Sequence, residues 1–247
     1  MAKFSVGYSK PVALVTGGAS FLGRTIGLKL AHKGFDLVLH YQNSLSKTKK
    51  FAEEVRQLGT KTLVVKADLR KVEHVPVLIH AVIKSFKRLD LLINNASLFY
   101  PTPLSSARPS QWQELFNVNV FSPYFLSRAA APHLRKTHGC IINLTDIYGE
   151  NPILKDYAAY CASKSGLITI TKVLARELGP SIRVNGVSPG AIFIPKTYSK
   201  KQRKELIERS ALKRQGTPAD IVEAVYFLAT QPFITGQILK VDGGRFF

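Results

Sequence analysis

Tyr160 and Lys164 stand four residues apart in "YCASK" (160–164), and Asp146 lies fourteen residues before the tyrosine. On a helix this spacing puts the phenol and the ammonium on one face, a turn apart. A free phenol has a pKa of about 10, and a neighbouring cation favours the phenolate. The pair therefore predicts a tyrosine made acidic enough by Lys164 to act as an acid or base near neutrality. Asp146, in "NLTD" (143–146), brings an acceptor that donates nothing when ionised. It can take a hydrogen bond from the tyrosine or from an amino group on a nitrogen heterocycle, or it can cap the helix that follows.

A second group of residues suits phosphate. "TGGASFLG" (16–23) falls between an apolar strand-like run and a helical pattern. Gly17 and Gly18 allow a tight turn, Gly23 allows close approach of helix to strand, and the helix start offers N–H groups to a pyrophosphate. A plain tight turn is the alternative. At the end of the next strand, "HYQNS" (40–44) has no acid where an NAD site usually places one, and none follows until Glu53. Gln42, Asn43 and Ser44 are polar and Lys47 is near, so a 2′-phosphate is tolerated and NADPH is favoured over NADH. Asp68 and Leu69, just after the third strand, are placed for an adenine; a helix cap is the other reading of Asp68.

These residues need a scaffold, and the chain alternates strand-like and helical patterns throughout. Strands are expected at 12–16, 36–40, 62–66, 91–94, 140–145, 182–188 and 237–241. Helices are expected over about 23–33, 46–58, 72–86, 110–138, the stretch carrying Tyr160 and Lys164, a short basic stretch, and 218–230. Short, nearly continuous apolar strands between helices imply a parallel sheet covered on both faces. The fold class is α/β, a Rossmann-type doubly wound sheet of about seven strands forming one domain over 1–247. Ligands belong at the carboxyl ends of its strands, where strand order reverses.

Composition agrees with one domain able to bury a full core: 247 residues, 45% hydrophobic and 21% charged, with no linker-like stretch. No apolar run is long enough to cross a bilayer. The first residues lead straight into a strand, which argues against a secretory signal. Cys140 and Cys161 match no metal site or disulfide framework, as expected in a reducing cytoplasm. The net charge of +19 attracts anions. Residues 196–214 hold eight Lys/Arg against two Glu, either a solvated helical face or a funnel for a phosphorylated or carboxylated substrate. No nucleic-acid-binding motif accompanies them.

Taken together, "TGGASFLG", "NNAS" (94–97), "NVNVF" (117–121), "YCASK", "RVNGVSPG" (183–190) and "VDGG" (241–244) resemble the short-chain dehydrogenase/reductases, from about Pro11 to Gly244. The resemblance implies that Asn119, Tyr160 and Lys164 belong to a catalytic tetrad, with Asn119 helping to hold a relay water and Lys164 holding the nicotinamide ribose. It places Gly17, Ser20, Phe21, Leu22, Tyr41, Gln42, Asn43, Ser44, Asp68, Leu69, Asn95, Ala96, Ser97 and Thr145 at the cofactor. Pro189, Gly190 and Ile192 would close over the nicotinamide, and residues 191–214 are expected to form a substrate lid.

The fourth tetrad member is normally a serine, and Asp146 stands in that slot. This departure, with "NNASLFYPTPL" (94–104), resembles the pteridine reductase branch. That branch implies Phe99 stacking a pterin, Ser97 lining the cavity and Tyr157 flanking it; for Phe99 the alternative is ordinary core packing. Phe21 departs from the branch's arginine, Asn43 replaces an arginine that would grip the 2′-phosphate, and the Asp146–Tyr160 interval is one residue longer. The expected activity is NADPH-dependent reduction of a dihydropterin or dihydrofolate, by a homotetramer. The alternatives are a 3-oxoacyl-(acyl carrier protein) reductase or other carbonyl reductase, and a non-catalytic NADP-binding regulator.

Overall fold

Alternating apolar side chains along each strand serve two separate cores, one on either face of a single sheet. A computed structural model describes residues 10–194 and 198–246. Its strands are β1 (Val12–Val15), β2 (Asp36–Tyr41), β3 (Thr62–Lys66), β4 (Leu91–Asn94), β5 (Cys140–Leu144), β6 (Arg183–Pro189) and β7 (Ile238–Val241). They pair in parallel in the order β3-β2-β1-β4-β5-β6-β7. Strand order reverses between β1 and β4, so the crevice at their carboxyl ends is the expected ligand site.

On one face Ala13, Val15, Leu37, Leu39, Leu91, Ile93 and Ile142 pack with Ile26 and Leu30 of α1 (Phe21–His32). Phe51 and Val55 of α2 (Leu45–Arg56) and Val225 and Leu228 of α9 (Pro218–Thr230) complete that core. On the other, Val12, Leu14, Val38, Leu92, Ile141 and Val184 meet Leu78 and Val82 of α3 (Val75–Phe86). Leu126 and Leu134 of α5 (Ser122–Thr137) and Leu174 of α7 (Ala158–Leu178) close it. Each fully buried Leu, Ile or Phe contributes about 1.5–3 kcal/mol, which is why a side chain that alternates correctly settles the register.

Three helices differ from expectation. The single helix expected over 110–138 is divided into α4 (Pro109–Phe116), a π-helical segment (Asn117–Phe121) and α5. The Ser122 N–H reaches back to the Asn117 carbonyl, and the next residue, Pro123, has no N–H to restore the ordinary ladder. A 3₁₀ turn (Val72–His74) precedes α3, whose first turn contains Pro76. Between β5 and α7 stands a one-turn helix that the pattern did not announce, α6 (Ile147–Glu150), capped by Asp146.

Of the basic stretch 196–214, Lys196 and Thr197 lie outside the described residues, and α8 occupies Lys200–Glu208 with no buried residue. No helix among the described residues is long and apolar enough to cross a membrane.

Candidate active site

The phosphate end forms where β1 turns into α1. Gly17 takes a left-handed φ of 61°, and its N–H donates to His40 Nδ1 at 3.1 Å. The other ring nitrogen of His40 lies 3.1 Å from the Ala67 carbonyl, so the buried imidazole ties the loop to β2 and β3. Burial pushes the His40 pKa below its ordinary value, keeping it neutral and able to accept. Ser20 Oγ accepts from the Gly23 N–H and the Ser20 carbonyl from the Arg24 N–H, which leaves the Phe21 and Leu22 N–H groups of the first turn for a ligand. A Cβ on Gly23 would stand 2.2 Å from the Gly17 carbonyl oxygen, so only glycine fits. Asn95 and Ala96, at the end of β4, donate backbone N–H groups to Thr16 Oγ1, both at 2.9 Å, and hold the second wall against the loop.

The cleft between these walls has a volume of about 960 Å³. Every predicted cofactor residue from Gly17 to Ser44 lines it, with Leu69, Asn95, Ala96, Ser97, Thr145, Tyr160, Lys164 and Pro189. No Asp or Glu is among the lining residues, whereas Lys47 is exposed at the β2 end with no ion pair among the described residues. The electrostatics suit a multiply charged anion. Arg24 does not add to this charge, because its guanidinium is 2.6 Å from Glu54.

Some predicted residues are placed otherwise. The Asp68 carboxylate is bound by Arg70 at 2.8 Å and by Gln42 Nε2 at 3.0 Å, and the Arg70 hydrogen bonds lower its pKa; of the pair Asp68 and Leu69, Leu69 alone lines the cleft. Gly190 and Ile192 do not line it either. A Cβ at Gly190 would meet Asp242 Cα at 2.5 Å, and Ile192 packs against the α1–α9 core. The residue after them is the one at the cleft: Phe193 lines it, and its ring centroid is 5.9 Å from that of Phe21. Both rings are largely exposed, at 68% and 61%. Phe193 escaped notice because an exposed phenylalanine in a loop carries no periodic signal.

The chemical end is built by β5, α6 and α7. The Tyr160 hydroxyl donates to Asp146 Oδ2 at 2.7 Å, and the Tyr148 N–H donates to Asp146 Oδ1 at 2.9 Å. The aspartate thus acts as acceptor for the tyrosine and as cap of α6 at once. Lys164 Nζ donates to the Leu144 carbonyl at 2.8 Å and lies 5.8 Å from the Tyr160 ring centroid. Phe99 is 51% exposed; one face stacks on Tyr157 with centroids 4.6 Å apart, and it meets the Tyr160 ring edge-on at 4.7 Å. It is not packed in the core, and its second face is available to a flat ligand.

Asn119 sits in the π-helical segment and is buried. Its Oδ1 accepts from the Leu98 N–H and Ser97 Oγ, and its Nδ2 donates to the Leu98 carbonyl and Ser163 Oγ, at 2.9–3.1 Å. That side chain is fully occupied in bracing the 97–98 loop, so a relay water has to bind elsewhere than on its amide.

The expectation that Lys164 makes Tyr160 more acidic is corrected by the structure. Burial, and then the charge and hydrogen bond of Asp146, push the Tyr160 phenol well above its ordinary pKa. Burial lowers Lys164 to about 8, with Asp146 opposing the drop. Asp146 is itself raised by burial, against the Tyr148 N–H, the Tyr160 hydroxyl, Lys164 and Arg245. Burial and Asp146 thus favour the neutral phenol, with a carboxylate oriented to receive its hydrogen bond.

A fold with a nucleotide-type cleft at the sheet's switch point and a Tyr/Lys pair beside it defines an oxidoreductase of the doubly wound class. A family model described as enoyl-(acyl carrier protein) reductase matches residues 17–245. A 3-oxoacyl-(acyl-carrier-protein) reductase of Staphylococcus epidermidis is 35% identical over 242 residues, 95% of this chain and 98% of the relative. The enzyme of the same name from Synechocystis sp. is 32% identical over 240 residues, 94% and 96% of the two chains. Among solved structures, a blue fluorescent protein from a metagenomic library in complex with NADPH aligns with a TM-score of 0.89 at 30% identity, covering 95% of this chain and 97% of that one. The chain belongs to the short-chain dehydrogenase/reductase family.

Proposed function

We propose that this protein is an NADPH-dependent reductase of a pteridine, a dihydropterin or dihydrofolate, giving the tetrahydro form. The observation that carries the reading is Asp146, whose partly buried carboxylate accepts from Tyr160 at 2.7 Å where a carbonyl reductase wants a second hydroxyl donor. An ionised carboxylate repels the oxygen of a ketone under reduction, but it accepts readily from the amino edge of a pterin. The half-exposed face of Phe99 offers a platform for the flat ring.

The cleft fits the cofactor: a helix start and glycine cradle for pyrophosphate, no lining carboxylate, and Lys47 at the 2′-phosphate end. When bound, NADPH supplies the hydride that reaches the carbon of the substrate C=N bond. Tyr160 gives its proton to the ring nitrogen as negative charge develops there. Its raised pKa keeps the phenol loaded across the working pH range, and an amide-like nitrogen anion is basic enough to take the proton. Lys164 holds the ribose and stabilises the phenolate left behind. Asp146 orients Tyr160 or the substrate's amino group, and Asn119 with Ser97 holds the loop that carries Phe99. Phe21 and Phe193 meet across the cleft, which supports a covering role for the segment beginning at 191. The homotetramer is proposed too, on the exposed Trp112, Phe121 and Tyr124 of the α4–α5 face, and is read from the mass in solution.

A second reading, reduction of a 3-oxoacyl thioester, is backed better than the pteridine one by the relatives, which carry that activity in their names. A parallel screen of dihydrobiopterin, dihydromonapterin, dihydrofolate and acetoacetyl thioester, following NADPH oxidation, separates the two. Turnover of the thioester far above every pterin reverses the assignment. Cofactor binding without turnover, unchanged in Tyr160→Phe, would point to a regulator.

A further inference from the structure

The last residues described lie against Tyr148, two residues after Asp146, although nothing in their sequence marks them as chemical. Gly243 and Gly244 both adopt left-handed φ, 67° and 72°, and turn the chain back after β7. Asp242 locks the turn, with Oδ1 accepting from the Gly244 N–H and Oδ2 from the Phe246 N–H, both at 2.9 Å. The turn lays Arg245 beside two rings that meet edge-on, with centroids 6.3 Å apart. Its guanidinium carbon is 5.7 Å from the Tyr148 centroid and 5.5 Å from the Phe246 centroid, and its Nη2 donates to the Tyr148 hydroxyl at 3.1 Å. Arg245 has no ion pair among the described residues, and its Nε is buried without an acceptor.

A guanidinium held beside two rings with one buried N–H unsatisfied is an unfavourable way to fill space. Its position gives it a use. Tyr148, which it braces, donates its backbone N–H to Asp146 Oδ1, and Asp146 Oδ2 receives the Tyr160 hydroxyl. We propose that Arg245 is a positioning residue that keeps Asp146 an ionised acceptor, through its charge and through its hold on Tyr148. The proposal rests on the acceptor role assigned to Asp146 above.

The groups facing that carboxylate are Tyr148 on α6, Tyr160, Cys161 and Lys164 on α7, and Arg245 on the C-terminal turn. Burial favours the protonated acid; the hydrogen bonds from the Tyr148 N–H and the Tyr160 hydroxyl oppose it first, and the charges of Lys164 and Arg245 add to them. Loss of the Arg245 charge therefore lets Asp146 take a proton at higher pH, and a protonated Asp146 offers a donor where Tyr160 needs an acceptor.

The test compares Arg245→Gln and Arg245→Lys. The carboxyl carbon of Asp146 is titrated by NMR in the enzyme without substrate, and kcat/KM is followed against pH for whichever substrate the screen turns over. The expected result is a higher carboxyl midpoint in the Gln variant, with a rate about threefold or more lower on the acidic limb and recovering as pH rises. Arg245→Lys restores both. An unmoved midpoint in a folded Gln variant, or a rate lowered equally at all pH, overturns the proposal. If the Gln variant does not fold, Arg245→Met keeps an aliphatic stem beside the rings and removes the charge. The NMR titration decides the role of Arg245 even if no pterin is reduced, so its failure is distinguishable from failure of the substrate assignment.

Discussion

Asp146→Asn keeps the shape of the side chain and removes its charge, and it tests the chemistry at its centre. In the native site Tyr160 donates to a carboxylate at 2.7 Å. A hydrogen bond to a charged group contributes about 1.5–3 kcal/mol, so kcat/KM should fall by about 10- to 100-fold. The pH dependence is more diagnostic. Asp146 has its pKa raised above the ordinary value, so activity that needs its ionised form is lost as pH falls through that raised value. Lys164 loses its charge as pH rises through about 8, closing the profile on the alkaline side. In Asp146→Asn the acidic limb disappears. The alkaline limb moves to lower pH, because the Asp146 charge is what raises Lys164 against the effect of burial. The Tyr160 phenol, no longer beside a carboxylate, ionises at lower pH than in the native enzyme. Steady-state kinetics across pH and an ultraviolet phenolate titration read these changes. An acidic limb with an unchanged midpoint, or an alkaline limb that stays or moves up, refutes the reasoning.

Lys164→Met should abolish most turnover yet raise stability near neutral pH. Lowering a lysine from 10.5 to about 8 costs the folded state about 3 kcal/mol below both values. Between those pKa values the unfolded chain binds the proton and the folded chain does not, so native stability rises with pH and the gap to the variant closes; melting temperatures of both proteins from neutral to alkaline pH check this. Lys47→Glu should raise KM for NADPH by about tenfold or more and leave NADH little changed, the effect shrinking at high salt. Gly23→Ala, whose Cβ would be 2.2 Å from the Gly17 carbonyl oxygen, should weaken cofactor binding in a fluorescence titration. The same clash should lower the melting temperature by about 2–10 °C.

The strands were legible because a buried parallel strand needs a run of apolar residues, and β3, β4 and α9 begin and end where the pattern places them. The glycine turn and the Tyr160/Lys164 pair were legible for the same local reason, since backbone conformation and helical spacing act over a few residues. The break in the long helix was less so. Pro123 is visible, but the shift to a π-helical segment that turns Asn119 toward Leu98 and Ser163 depends on packing against α7. Asp146 could be singled out by type, yet its choice of Tyr160 as donor came only from the fold. The direction of the tyrosine's pKa was beyond the sequence altogether. A spacing of four reports that Lys164 is near, but not that burial and a carboxylate outweigh it. Phe193 carries no periodic signal, and both it and Arg245 meet partners far away in the chain, Phe21 and Tyr148, at distances that only tertiary folding sets. Local periodicity is written along the chain, while desolvation and through-space charge exist only once the chain has closed on itself.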